Sequence, residues 1–252
     1  MENRYRVPTL ERVNRILQLI ISEKSGVRQI DFSKKLGISK STTFSLLKTL
    51  EGLGWIVKDK DETYNLGPEL GIIGSHYFKH INIVNQFYEI GPKYVELIDE
   101  HLQIGKLEND KVMYLGKIMS SSPIDLVTYP GSLFPSHSTS VGKVQLINKS
   151  FKELESIFKD GLIKVTEYTI TDLEELFNNL SEAKQVGYIE EHQESAIGIH
   201  CIAAPIYNMN GEIIAGVSIA MTLDKWDKKK DIAREVILKF SRELSYLNGY
   251  PL

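Results

Sequence analysis

Residues 37–54 read GISKSTTFSLLKTLEGLG, a short turn followed by a helical pattern. The turn is Gly37-Ile38-Ser39, and Ser39 is the predicted N-cap of a helix that begins at Lys40 and ends near Leu53. At 100° per residue, one side of this helix collects the large apolar side chains and is predicted to face a core. That side contains Thr43, Leu46, Leu47 and Leu50.

The opposite side of the same helix is small, hydroxylated and basic. It contains Ser41, Phe44, Ser45 and Lys48, flanked by Thr42 and Thr49. Hydroxyl groups and lysines suit phosphates and base edges, and a phenyl ring can touch a thymine methyl group. An exposed Phe44 among Ser and Lys residues is unusual on a plain surface helix, so we favour a DNA-contacting side over a merely solvated one.

The flanking sequence supplies the other parts of a winged helix-turn-helix. Apolar periodicity predicts a helix over 9–21, with Thr9 as its N-cap, and a second helix over 29–36 that Gly37 ends. Residues 55–58 and 63–66 are predicted strands around an acidic turn. In such a unit the last of the three helices reads DNA, and the hairpin is the wing.

Charge is divided unevenly along the chain of 252 residues. Residues 1–66 carry 12 Lys+Arg against 8 Asp+Glu, a net of +4, whereas the remainder has a net of −7, which together give −3. A basic N-terminal segment followed by an acidic remainder is typical of a nucleic-acid-binding module joined to another domain. Charge alone is equally consistent with a solvated basic face. The predicted DNA-binding residues are Arg4, Arg6, Arg12, Lys40, Ser41, Thr42, Phe44, Ser45, Lys48 and Lys58.

The rest of the chain mixes helices with short strands. A helical pattern over 67–101 is predicted to be interrupted near 81–84 and at Gly91-Pro92. Strands are predicted at 102–107, 111–118, 187–190, 199–207 and 212–221, and helices at 140–147, 151–158, 172–185 and 227–247. This order predicts an α+β domain with an antiparallel sheet and flanking helices.

A hydroxyl-rich segment precedes the helix predicted at 140–147. Ser136, Ser138, Thr139 and Ser140 stand there with Lys143 in the first turn, and free N–H groups with hydroxyls can receive an anion. Helix caps use the same residue types, so a purely structural cap is the alternative. No arginine occurs between residues 29 and 233, so a carboxylate bound here would depend on N–H groups, hydroxyls or Lys143.

Eight segments, taken together, resemble IclR-type transcriptional regulators. Those in the DNA-binding half are TLERV (9–13), GISKSTT (37–43), LLKTLEGLGW (46–55) and YNLGP (64–68). Those in the effector half, which has a GAF-like fold in that family, are PGSLFPSHSTSVGK (130–143), GYIEE (187–191), GIHCIAAP (198–205) and GEIIAGVSI (211–219). The resemblance implies a winged helix-turn-helix in 1–66, a linker helix in 67–80 and a GAF-like effector-binding domain in 81–252.

The resemblance also implies an effector pocket. The ligand-binding positions that the resemblance implies are Leu126, Ser140, Val141, Glu191, Cys201, Ser218 and Ala220, and the hydroxyl-rich segment adds Ser138 and Thr139. The chain departs from the family at Ser45, where the reader helix usually has Arg, and at Ala220, where the pocket often has Ser. The first departure gives more weight to the other basic residues in DNA binding.

The implied function is that of a regulator whose operator affinity changes with a ligand. A homodimer, or a homotetramer, would bind a palindromic operator in double-stranded DNA, and a small organic metabolite, a carboxylate or another small polar molecule, would shift the population of its conformations. Two alternatives from other classes stay open. One is a sensor or assembly protein whose winged helix contacts protein, and the other is an enzyme in the C-terminal domain.

Enzyme, cofactor and metal patterns are weak. His200 and Cys201 alternate to opposite faces of their strand, and the pair His76 and His80 has no marked third ligand. We therefore expect no catalytic residues, no cofactor and no metal. No apolar run approaches the roughly 20 residues of a membrane span. Residues 1–12 are charged and no apolar run follows them, so we expect no secretory signal, and one cysteine allows no internal disulfide. We therefore expect a cytoplasmic protein.

Overall fold

The computed structural model describes residues 7–23, 26–79, 82–121 and 128–251. The chain divides into two compact units, Met1–His80 and Ile81–Leu252, which we describe separately. No helix in the described part is long and apolar enough to cross a membrane.

The first unit contains four helices and a three-stranded antiparallel sheet among its described residues. Its elements are α1 (Pro8–Ser22), β1 (Val27–Arg28), α2 (Gln29–Leu36), α3 (Lys40–Gly52), β2 (Ile56–Lys58), β3 (Thr63–Leu66) and α4 (Pro68–Lys79). The sheet order is β1-β3-β2, and the two-residue strand β1 was not predicted. The core of this unit consists mainly of Ile16, Ile20, Phe32, Leu47, Leu50 and Ile56.

The helix ends of this unit follow from single residues. Gly37 adopts a left-handed conformation, with φ of 66°, and ends α2 as predicted. The Ser39 hydroxyl accepts a hydrogen bond from the Thr42 N–H at 3.2 Å, as expected of an N-cap. The prediction of Thr9 as N-cap of α1 was wrong. The helix begins at Pro8 after Val7, since proline at the first position has a suitable φ and needs no partner for an N–H.

The second unit is an α+β domain around one six-stranded antiparallel sheet of order β6-β5-β4-β9-β8-β7. Its elements are α5 (Ile83–Ile98), β4 (His101–Glu108), β5 (Lys111–Ile118), β6 (Leu133–Pro135), a 3-10 turn (Ser136–Ser138), α6 (Ser140–Lys143), α7 (Phe151–Ile157), α8 (Leu173–Val186), β7 (Ile189–His192), β8 (Ile199–Tyr207), β9 (Ile213–Thr222) and α9 (Leu223–Leu247). One side of the sheet packs against α5 and α9, and the other packs against α6, α7 and α8.

Several predicted boundaries differ from the structure. Helix α5 continues through Gly91-Pro92, because it buries Phe87, Tyr94 and Ile98 in the core and this packing outweighs one lost backbone hydrogen bond. Helix α6 has four residues rather than eight and continues as turns. Strand β7 starts two residues later than predicted because Gly187, with φ of 82°, is the C-cap of α8. The short edge strand β6 was not predicted.

Candidate functional site

Helix α3 presents the polar side that its sequence predicts. Thr43, Leu47 and Leu50 are buried, and Leu46 is half-buried. The opposite side carries exposed Ser41, Phe44, Ser45 and Lys48, with Thr42 half-buried beside them. Half of the Phe44 surface is open to solvent. The N-terminal part of this unit therefore offers a helix face that suits a nucleic-acid groove.

Several of the predicted basic contacts already have acidic partners. Lys48 Nζ lies 2.9 Å from Glu51 Oε2, and Lys58 pairs with Glu62. These hydrogen bonds raise the pKa of both lysines. Because exposed pairs of this kind contribute little, either lysine can exchange its carboxylate for a phosphate. Lys40 is exposed and forms no ion pair within the described residues.

The arginines of this unit have different roles. Arg12 is exposed on α1, whereas Arg15 donates to the Leu36 carbonyl at 2.9 Å and ties α1 to the end of α2. Arg4 and Arg6 lie outside the described residues. Arg12 is therefore the described arginine that we retain as a predicted DNA contact.

The acidic turn of the wing is built around one carboxylate. Asp59 accepts hydrogen bonds from the N–H and the hydroxyl of Thr63, the N–H of Asp61 and the Asn65 amide. These donors, with the Thr63 hydroxyl first, lower the pKa of Asp59. Asp59 is thus the acceptor around which the turn is built, and Lys58 and Lys60 are the basic groups of the wing.

In the second unit, strand pairing brings the predicted pocket residues onto one face of the sheet. Glu191 lies opposite Cys201, and Cys201 lies opposite Ala220. Two residues along, Ala203 lies opposite Ser218. Alternation places these rows on the side covered by α6, and all of these side chains are buried.

Two glycines let α6 approach this face closely. A Cβ atom on Gly105 would lie 2.9 Å from Val141 Cγ1, and a Cβ atom on Gly216 would lie 2.8 Å from Val144 Cγ1. Both distances are too short for real contacts, so side chains here would push α6 away from the sheet. The close approach places Val141 against β4 and β9, and Ser140 interacts with Cys201 on β8.

The central acid of the face is Glu191, which is fully buried. Its Oε1 accepts hydrogen bonds from the backbone N–H groups of Glu194 and of Ser195, the latter at 3.0 Å. Burial nevertheless raises the pKa of Glu191 to about 7. The carboxyl group therefore exchanges its proton near neutral pH, and in its acid form it can donate a hydrogen bond to an anion.

The thiol of Cys201 is suited to packing. It interacts with Glu191 and Ser140, and burial raises its pKa well above the ordinary value. A thiol held in the protonated form is a poor nucleophile. His200 lies on the other face, where its Nδ1 is 2.7 Å from His192 Nδ1 and its ring packs on Trp226. The expected separation of His200 from Cys201 is confirmed.

The hydroxyl-rich segment is used for local structure. Thr139 caps α6 by accepting from the Gly142 N–H at 3.1 Å, and Ser138 donates to the Pro135 carbonyl at 3.2 Å. Lys143 is fully buried and its Nζ lies 2.5 Å from Glu194 Oε1, so it is not the free cation that the sequence suggested for a carboxylate. The assignment of Ser138 and Thr139 to a ligand stays a prediction, and Leu126 and His80 lie outside the described residues.

Sequence reasoning missed three polar residues of the same face. Gln103 is buried, and its side chain contacts Ser218 at 3.5 Å and Thr128. His101 lies opposite Ala220, and Tyr114 is buried near Cys201 and Glu191. The alternation of residues 101, 103 and 105 along β4 was the signal that could have found the first two.

Comparisons with known proteins agree with this geometry. A family model described as the C-terminal part of the bacterial transcriptional regulator IclR matches residues 75–246, and one described as the IclR helix-turn-helix domain matches residues 9–60.

Individual relatives cover nearly the whole chain. The transcriptional regulator KdgR of Escherichia coli K12 is 28% identical over 253 residues, which cover 97% of this chain and 95% of KdgR. The repressor AllR of Klebsiella pneumoniae is 30% identical, over 93% of this chain and 89% of its own. The crystal structure of the Agobacterium tumefaciens repressor BlcR has the same fold, with a TM-score of 0.88 at 24% identity, covering 98% of this chain and 99% of its own.

Proposed function

Since the chain belongs to the IclR family of bacterial transcriptional regulators, we propose that it binds a roughly palindromic operator as a homodimer and that a small organic metabolite changes its operator affinity. Family membership makes the protein a ligand-responsive, DNA-binding transcriptional regulator and not an enzyme. A homotetramer is the alternative assembly. The sign that we propose is repression, the activity named for AllR.

The observation that carries the DNA-binding proposal is the outer side of α3. It combines exposed hydroxyl groups, the half-exposed ring of Phe44 and two lysines, Lys40 at the start of the helix and Lys48 two turns later. Ser45 stands where a bidentate arginine would give a strong base contact. The affinity in this proposal therefore comes largely from phosphate contacts by lysines and arginines, and it depends steeply on salt.

For the effector, we propose a small carboxylate or a comparably polar metabolite held on the face that carries Glu191, Cys201 and Ser218. This face has no arginine, but it has a carboxyl group with a pKa of about 7. A protonated Glu191 can donate to a bound carboxylate, whereas an ionised one repels it. Binding of an anionic effector would therefore take up a proton and weaken as the pH rises above 7.

The experiment that tests the regulator is a selection of genomic fragments of the host by the purified protein at two salt concentrations. Between about 50 and about 200 mM salt, binding that depends on phosphate contacts weakens strongly. We expect a fragment with two-fold symmetry, bound much more weakly at the higher salt. Recovery of only random fragments at both salt concentrations, with and without pools of organic acids, would contradict the proposal. Sedimentation of the complex then counts the protomers on each operator.

A further inference from the structure

A second candidate binding site lies along the edge of the sheet. A cleft of about 530 Å³ runs between α8 and strand β7, which is the last strand of the described sheet. Its walls include Tyr168, Ile170, Asn179, Glu182, Ala183, Val186, Tyr188, Ile189, Glu190, His192 and Glu194. The volume lies within the range of small-molecule sites. None of these residues belongs to the predicted effector pocket, so the cleft is a separate feature of this unit.

The buried wall of the cleft has an unsatisfied hydrogen-bond acceptor. Glu194 is only 6% exposed, and its Oε1 takes the ion pair from Lys143 at 2.5 Å. Its Oε2 has no hydrogen-bond partner among the residues that the structure describes. An unpaired carboxylate oxygen away from water carries a large desolvation cost, which a donor from a ligand would remove. The missing donor is the first indication of what the cleft binds.

The charges around the cleft favour a single positive charge. Three carboxylates line it, at positions 182, 190 and 194. Arg234 Nε pairs with Glu190 at 2.7 Å, and Lys143 pairs with Glu194. Glu182 is exposed on α8 and forms no ion pair within the described part of the chain. His192 also lines the cleft, and its Nε2 lies 3.6 Å from Glu190 Oε2. Glu182 is therefore the cleft carboxylate without a basic partner among the described residues, and one further cation would pair with it.

The remaining walls are apolar or aromatic. Ile170, Val186 and Ile189 contribute aliphatic surface, and the half-exposed ring of Tyr168 stands beside them. We propose that this cleft binds a small amphiphilic primary amine, with the ammonium group between Glu194 and Glu182 and its apolar body against these side chains. An ammonium group supplies three donors, which match the free oxygen of Glu194 and the unpaired carboxylate of Glu182.

Amine binding in the cleft acts on the effector face through one short segment. The backbone N–H of Glu194 donates to Glu191 Oε1, and the Glu194 side chain reaches Lys143 on α6. An ammonium group on Glu194 therefore acts on the segment that holds Glu191 in place. This consequence for regulation rests on the proposed function, whereas amine binding itself does not.

The test is a titration of the protein with 2-phenylethylamine by isothermal calorimetry. The control ligand is 2-phenylethanol, which has the same apolar body but no charge. We expect one amine per chain and no measurable binding of the alcohol. Glu194→Gln should weaken amine binding on the order of 10- to 100-fold, because it removes a buried charge-assisted bond. Glu182→Gln should weaken it by about 2- to 5-fold, as expected of an exposed charge.

Two further variants keep the result interpretable. Val186→Trp adds a ring to an exposed position of the cleft and should block binding without disturbing the core. Glu174→Gln, on the same helix but outside the cleft, is the matched control for Glu182→Gln and should bind like the wild type. Absence of amine binding, equal binding of the alcohol, or equal losses in Glu174→Gln and Glu182→Gln would each overturn the proposal. Operator selection is independent of all these outcomes, so the two proposals can fail separately.

Discussion

The outer side of α3 and the buried face of the six-stranded sheet are two polar surfaces built in opposite ways. On α3, Ser41, Phe44 and Lys48 are exposed, and one helical period places them together. On the sheet, Glu191 and Ser218 are buried, and only the pairing of β7, β8 and β9 brings them together. A surface of the first kind costs the fold little, whereas the second carries the desolvation of its polar groups. Substitutions on the outer side of α3 should therefore weaken DNA binding without changing stability. Substitutions on the buried face of the sheet should change both stability and ligand binding.

The test with the largest expected effect compares one residue from the buried side of α3 with one from its exposed side. Leu47→Ala should lower the free energy of unfolding of the N-terminal unit by about 3 kcal/mol, since it leaves a cavity in the core. Phe44→Ala should change stability by less than about 0.5 kcal/mol while weakening operator binding. Urea denaturation followed by circular dichroism and operator titration measure the two effects. Equal loss of stability in both variants would show that Phe44 also stabilises the fold and would contradict this difference between the two sides.

On the sheet, Glu191 should make stability depend on pH. Its pKa is about 7 in the folded chain against an ordinary value of 4.5, so the folded chain binds more protons between these values. The stability that this extra proton contributes is fully present below pH 4.5 and is lost as the pH rises through 7. The free energy of unfolding falls by about 3 kcal/mol over this range. Glu191→Gln removes this dependence.

The comparison with Glu191→Gln is needed because two histidines change the pH dependence of stability in the opposite direction. Burial lowers the pKa of both His137 and His200, so their neutral forms favour folding as the pH rises. The difference in unfolding free energy between wild type and Glu191→Gln, measured from pH 4.5 to 8, isolates the glutamate. A difference that stays constant over this range would show that folding does not raise the pKa of Glu191.

A smaller effect tests which lysines contact DNA. Lys48→Ala should reduce the slope of log affinity against log salt by about one, since it removes one phosphate contact. Lys239→Ala is the matched control, because Lys239 is also exposed and also has a glutamate one turn away on its helix, Glu235. The control should leave the slope unchanged. Identical slopes for all three proteins would remove Lys48 from the interface.

Local signals predicted the first unit well and the second less fully. Gly37 and Ser39 define the ends of α2 and α3 through their own φ angle and hydroxyl group, so these boundaries could be read directly. The strands predicted at 102–107 and 111–118, and at 199–207 and 212–221, form two antiparallel pairs, β4 with β5 and β8 with β9. Asn109 and Gly211 have positive φ in the turns between them.

Features that depend on distant residues escaped prediction. Pro92 stays inside α5 because of packing against α9, about 150 residues away in sequence. The buried ion pair of Lys143 could not be predicted either, because its partner Glu194 is 51 residues away in the sequence. Glu191 was assigned to the pocket by resemblance, whereas Gln103 was missed. Alternation along β4 could have given the side on which Gln103 lies, but its place beside Ser218 depends on the pairing of β4 with β9.

Ligand-responsive regulation is tested most directly by the linkage between operator binding at the outer side of α3 and ligand binding at the buried face of the sheet. A carboxylic acid that raises the melting temperature of the protein is titrated with and without saturating operator, and the operator is titrated with and without the acid. We expect each ligand to change the affinity of the other by the same factor, as thermodynamic linkage requires. An operator affinity that is the same with and without the acid would contradict the claim that the buried face of the sheet controls DNA binding.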